Sequence, residues 1–253
     1  RRFPRAGDLI EVQSGVTEVG GKTLRLVHWL CDPESGAAWA SMEAVALTFD
    51  TTTYRNAVAY LNLGMGGFVL AAVSARFLFP AVSAEGRAIW IARAAPMSAR
   101  DLVRAKFAGG LVPILVVGEV ISLSSSYLLR VSPFVVWSGA ATTAVLAVAI
   151  SGLAVGLGAQ MPAFKAEHLA KVASGFGGVV YMACALVYVG AVVAFEAYPT
   201  WLFYDSTRFR YSLGTRHLAL AAGCYLGVLV FSAAVAWLAL ERGARSLEAR
   251  EFS

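Results

Sequence analysis

The sequence predicts an all-α fold, a polytopic membrane helical bundle of about five transmembrane helices with a cytoplasmic amphipathic helix between two of them. Three observations carry that expectation. Of 253 residues, 58% are hydrophobic and 15% charged, and the mean hydropathy is +0.66, an apolar share above that of ordinary soluble domains. Five apolar runs reach the roughly 20 residues that cross about 30 Å of hydrocarbon at about 1.5 Å per residue. Between the first two runs lies the segment 79–107, FPAVSAEGRAIWIARAAPMSARDLVRAKF, which gathers Arg87, Arg93, Arg100, Arg104 and Lys106 around Trp90. A short loop this basic stays on the cytoplasmic side of a membrane.

Taken in order, residues 1–53 differ from everything that follows. They are charged and Gly-rich, with short β-like pieces such as 9–12, and their apolar stretch 37–49 has 13 residues and contains Glu43. That is too short to span, so 1–53 is expected to be a non-spanning or truncated segment, and the chain reads as a piece of a longer polypeptide. Spans are placed at 57–79, 107–129, 134–161, 172–195 and 218–240 within a transmembrane domain of 54–241. Continuous apolar runs favour helices over the alternating pattern of barrel strands.

The connector 79–107 reads as two short amphipathic helices interrupted at Pro96, lying along the headgroups. Ser98 with Asp101 forms the spacing of a capping box, so a helix should begin there, pass Arg104 and enter the bilayer near Phe107. Ser132-Pro133 offers an N-cap and a first-turn proline for the third span. Pro113 falls inside the second span, where a kink is expected. The aromatic stretch 196–215 follows the fourth span and suits the membrane interface, with Glu196 solvated at the span end. Residues 242–253 form a cytoplasmic tail.

Charge segregates by loop. With the connector inside, the inner side carries ten cations, Arg87, Arg93, Arg100, Arg104, Lys106, Lys165, Lys171, Arg242, Arg245 and Arg250. The outer side, the N-terminal segment aside, carries five, Arg55, Arg130, Arg208, Arg210 and Arg216. The formal net charge of +5 therefore reports topology and contact with membrane lipids, and no nucleic-acid partner is expected.

Small residues mark helix packing. Gly152 and Gly156 form one GxxxG, Gly223 and Gly227 another, and Gly175, Gly177 and Gly178 open the fourth span. Such residues let helices approach within one bundle or across a subunit interface. Two ionisable groups fall well inside the spans. Arg76 can reach the headgroups. Glu119 lies about 20 Å along its helix from Lys106 and is followed by Ser122, Ser124, Ser125 and Ser126. Glu119, Ser122 and Ser126 are candidates for lining a translocation path, with hydrogen bonding to a neighbouring helix as the alternative.

Other chemistries lack their residues. Cys31, Cys184 and Cys224 show no paired spacing, and His28, His168 and His217 are scattered, so neither a metal site nor a cofactor is expected. The segment 15–23 resembles a phosphate loop, but five residues separate the Gly pair where the motif needs four. No GxSxG or HExxH supports a hydrolase.

Arg76-Phe77, the run 79–83, Glu85-Gly86-Arg87, Ala95-Pro96 and the run 174–178 are the pieces by which residues 57–198 resemble the membrane subunit of a family of bacterial ABC-type exporters. The resemblance implies a permease in the cytoplasmic (inner) membrane with its C-terminus inside. It also implies a partner ABC ATPase subunit in which hydrolysis occurs, and a second permease half or a homodimer. The connector would then be a coupling helix, with Glu85, Gly86, Arg87, Trp90, Arg93 and Pro96 at the ATPase. The family resembles longer chains that carry an elbow helix and a further span ahead of residue 57, and this sequence departs from them there. A membrane enzyme using Glu119 as a proton donor or acceptor, and a non-transporting membrane anchor or assembly subunit, stand as the alternatives.

Overall fold

The computed structural model describes residues 11–19, 23–31, 38–47, 51–88, 98–163, 169–209 and 214–251. The chain divides into two compact units, Arg1–Tyr54 and Arg55–Ser253.

The first unit contains a three-stranded antiparallel sheet of β1 (Glu11–Val19), β2 (Thr23–Cys31) and β3 (Ala38–Leu47), in that order. Leu24, Leu26, Val27 and Trp29 give β2 the aliphatic and aromatic content that suits a central strand. It pairs Thr23 with Leu47 on one side and Glu11 with Cys31 on the other. Ser14 Oγ and His28 Nδ1 bond across the first pair at 2.7 Å. Only short β-like pieces are legible in the sequence here. The apolar stretch 37–49, too short to span, is mostly strand β3.

The second unit is the helical bundle. Its helices are α1 (Thr51–Phe77), α2 (Ala99–Leu129), α3 (Pro133–Gln160), the short α4 (Leu169–Ala173), α5 (Phe176–Phe209) and α6 (Thr215–Glu251). Five of them, all but α4, are long and apolar enough to cross a membrane. The chain is thus a multi-pass membrane protein by helix length and composition.

α3 is the central helix, with 67% of its most apolar stretch covered by the rest of the chain, against 11% for α2 and for α6. Leu146, Ala147, Ile150, Ala154 and Val155 form the middle of the core. Gly152 and Gly156 let α3 meet α6 backbone to backbone at Ala236 and Ala239. α3 is also covered by α2 and α5.

Helix ends follow the sequence signals in part. The capping box at Ser98 forms in both directions, with Asp101 N–H donating to Ser98 Oγ at 3.2 Å and Ser98 N–H donating to Asp101 Oδ2 at 3.2 Å. α2 then runs unbroken through Pro113 to Leu129. It ends at Arg130, whose left-handed φ of 50° turns its N–H back onto the Ser126 and Tyr127 carbonyls. Ser132 holds the N-cap position of α3 with Pro133 in the first turn, but its hydroxyl makes no capping bond.

Two expectations are corrected. The start of the connector does not lie on headgroups: Phe79, Val82 and Ser83 are buried in short 3-10 turns, Phe79–Ala81 and Ser83–Ala88. Phe79 stacks on Tyr181 at 5.8 Å, and Ser83 Oγ accepts from Ala163 N–H at 3.0 Å. The fourth span does not stop at residue 195. α5 continues through Pro199 to Phe209, because a proline removes one helical bond and neighbouring helices tolerate that cost inside a bundle. Beyond residue 241 α6 continues to Glu251, with Gly243, Ala244 and Leu247 buried.

Candidate functional site

In a membrane interior, polar side chains hold helices together because they have few other partners. Tyr60 of α1 donates its hydroxyl to the Val193 carbonyl of α5. Tyr181 of α5 donates to the Ala71 carbonyl of α1 at 3.2 Å. Asn62 Nδ2 of α1 donates to Ser125 Oγ of α2 at 2.8 Å. Tyr188 of α5 and Ser232 Oγ of α6 bond at 2.7 Å. Thr142 Oγ1 of α3 donates to Glu196 Oε1 of α5. All five spanning helices are joined by these bonds.

Four of the helices enclose a cavity of about 230 Å³. α1 contributes Tyr60 and Asn62, α2 Ser122, Ser125 and Ser126, α3 Ser138 and Thr143, and α5 Glu196 and Thr200. Leu63, Met65, Val69, Ile121 and Val135 complete an apolar part of the wall. These residues lie toward the start of α1 and α3 and toward the end of α2 and α5. The cavity is therefore in the half of the bundle remote from the turns Phe79–Ala81 and Ser83–Ala88 and from the N-terminus of α2. Its polar wall follows from helical spacing: Gly118, Ser122, Ser125 and Ser126 share one face of α2.

Glu196 is the one acidic residue on this wall and is 3% exposed. No ion pair to it is present among the described residues. A carboxylate so placed is costly without compensation, and the Thr142 hydroxyl supplies one charge-assisted bond. Tyr60, Tyr188 and Tyr225 lie close enough to interact with it electrostatically.

At the opposite end, charges brace the bundle beside the connector. Lys106 of α2 pairs with Glu85. Arg100 Nη2 lies 3.0 Å from Glu241 Oε1 on α6, and Arg100 Nε 3.7 Å from Glu248 Oε1. Arg245 Nε closes the set at 3.1 Å from Glu241. The N-terminal turn of α2 is thereby fastened to the last turns of α6. α2 is a single helix from this cluster to the cavity, about 40 Å from Ala99 to Ser126.

A family model described as "Putative ATP-binding cassette" matches residues 40–252, most of the chain. The chain belongs to that family. No curated protein and no solved structure matched. Membership in an ATP-binding cassette family and five membrane-length helices together fit a transport-associated role.

The expected site residues of this family member are distributed as follows. Ser122 and Ser126 are on the cavity wall, whereas Glu119, half-buried one position round α2 from Gly118, is not among its lining residues. Arg76 is exposed near the end of α1. Glu85 is half-buried in its pair with Lys106, while Gly86 and Arg87 lie in the 3-10 turn Ser83–Ala88. Trp90, Arg93 and Pro96 fall outside the described residues.

The packing glycines divide. A Cβ at Gly152 or Gly156 would strike α6, one at Gly177 would lie 2.9 Å from Phe79 Cζ, and one at Gly178 would strike the Ala173 carbonyl. A Cβ at Gly175 would lie 3.3 Å from the Lys171 carbonyl oxygen and 3.4 Å from that of Val172. Gly223 and Gly227 meet nothing within 4 Å. Among the described residues no cluster of His, Cys, Asp and Glu could hold a metal.

Thr142, Tyr60 and Asn62 are polar wall or tie residues with no signal of their own in the sequence, and Glu196 joins them. Glu196 in particular is buried, correcting its expected solvated position. Its signal was available: the apolar run resumes after Glu196 as Trp201, Leu202 and Phe203, so the helix has reason to continue past it.

Proposed function

We propose that this chain is the permease subunit of an ATP-driven exporter, forming the translocation path in a cytoplasmic membrane and coupling to a separate ABC ATPase subunit. The connector and C-terminus face the cytoplasm in this reading. The observation that carries it is α2: one continuous helix joins the capped, ion-paired end of the basic connector to the cavity wall. Closure of an ATPase against the connector would tilt a stiff rod whose far face carries Ser122, Ser125 and Ser126. A tilt there changes the cavity's access.

Hydrolysis is assigned to the partner chain. The segment ending at Lys22 leads into strand β2, whereas a phosphate loop must feed a helix N-terminus to hold its anion. Glu85 acts as an internal brace through Lys106, leaving Arg87, Trp90 and Arg93 as the contacts offered to the ATPase, with Gly86 and Pro96 shaping the backbone between them. Gly223 and Gly227, open on α6, suit a second permease half or a homodimer partner.

The test is co-purification of the ATPase with the full chain. Arg87→Glu combined with Arg93→Glu is expected to abolish capture while membrane insertion is retained. Undiminished capture by the inserted double variant would remove the coupling role.

A further inference from the structure

We infer that the cavity between α1, α2, α3 and α5 is a binding site for small organic cations of the quaternary or protonated amine class, with Glu196 as the charge that selects them. This names a substrate class for the permease of the preceding section and rests on that reading for its transport meaning.

The argument starts from the wall. A carboxylate is held 3% exposed at a cavity of about 230 Å³, in a segment of helix long and apolar enough to lie in a membrane. No cationic side chain forms an ion pair with it among the described residues, the bond from Thr142 satisfies one oxygen, and an ammonium entering the cavity would be the partner that favours the ionised carboxylate. Holding up Thr142 needs only a neutral acceptor at 196, and burying an acid there adds a desolvation cost that a neutral side chain would not, so a structural role alone leaves the acid unexplained.

The rest of the wall suits an ammonium group with a short apolar or hydroxylated body. Ser122, Ser138, Thr143 and Thr200 line it, with the Ser138 and Thr143 hydroxyls donating to the Val135 and Gly139 carbonyls, and the Tyr60 ring offers an aromatic surface of the kind that attracts cations. The volume of about 230 Å³ accommodates a compact amine. An anion would face the Glu196 carboxylate with no compensating Lys or Arg on the wall, and like charges in a low dielectric repel strongly.

The probe is choline, compared with its uncharged carbon isostere dimethylbutanol, which has the same shape without the charge. Equilibrium dialysis of radiolabelled choline uses the full chain in a non-ionic maltoside micelle. Saturable choline binding is expected, displaced by the isostere at least about tenfold less well than by unlabelled choline, the lower bound for a contact to a charged group. Glu196→Gln keeps the acceptor for Thr142 and should erase the choline preference. Ser122→Phe fills the cavity and should abolish choline binding, which locates the site.

No saturable binding, equal competition by the isostere, a choline preference retained in Glu196→Gln, or binding retained in Ser122→Phe would each overturn the inference. The wild-type comparison stands even where a variant does not fold. ATPase capture is measured on the same preparations. Capture without cation preference defeats this inference alone, and cation preference without capture defeats the coupling role alone.

Discussion

Gly156 on α3 lies against the carbonyl group of Ala239 on α6, so closely that a Cβ at position 156 would overlap it. Gly243, one turn further along α6, returns the contact: a Cβ there would lie 3.0 Å from the Gly156 Cα. The two helices thus touch through bare backbone over a full turn, and this contact sets how α6 carries Glu241 and Glu248 toward Arg100. A small-residue seam fixes the spacing that the charge cluster uses.

Gly156→Ala should destabilise the bundle by about 1–3 kcal/mol, because the displaced atoms are backbone and cannot rotate away. Gly227→Ala, where nothing lies within 4 Å, should change stability by no more than about 0.5 kcal/mol in the monomer. Thermal unfolding of both variants in the same detergent gives the comparison. Equal effects would mean that the seam does not govern stability.

Removing the donor to Glu196 should be costly in a way that separates hydrogen bonding from shape. Thr142→Val keeps the volume and loses the hydroxyl, and an expected cost of about 1–3 kcal/mol follows from leaving a buried acceptor unmet. Thr142→Ser keeps the hydroxyl and should lose less. If Ser and Val are equally destabilising, packing accounts for the effect and the bond to Glu196 contributes little.

The bundle was readable because membrane-length apolar runs and their punctuation are local signals. Ser98 with Asp101, and Pro133 after Ser132, mark two helix starts to the residue. The sheet was less readable, since Thr23–Cys31 has weak alternation and its partners are set by pairing across turns. α5 outruns the span expected over 172–195, since the acid at 196 looks like an end when the neighbouring helices are out of sight. The cavity depends on four helices meeting: Ser122 and Ser126 could be singled out as a stripe on one helix, while Tyr60, Asn62 and Glu196 become wall residues only through packing. Glu119 shows the reverse error, a carboxylate chosen for depth that the rotation of α2 leaves off the wall.

The cluster around Arg100 should contribute little to stability. Arg100 is half-exposed and Glu241 partly so, at 46% and 19% of their side chains, and pairs of this kind are worth about 0.2–1 kcal/mol and weaken in salt. A double-mutant cycle with Arg100→Gln and Glu241→Gln should return a coupling in that range. A coupling several times larger would make the cluster a principal clamp on α6 rather than a brace.

Orientation can be decided from the two ends of α2. Its 31 residues extend about 46 Å, more than the roughly 30 Å of hydrocarbon, so its ends emerge on opposite sides. Ala84, in the connector turn Ser83–Ala88 that precedes α2 in the chain, and Tyr127, in the last turn of α2, are both exposed. With Cys31, Cys184 and Cys224 replaced by Ser, an impermeant maleimide added to intact cells should label Tyr127→Cys, and should label Ala84→Cys only after the membrane is opened. The loop charges dictate this direction, because moving the connector's five cations outward opposes the bias that orients short loops. Labelling of Ala84→Cys in sealed cells would reverse the topology and place the basic connector beyond the reach of a cytoplasmic ATPase.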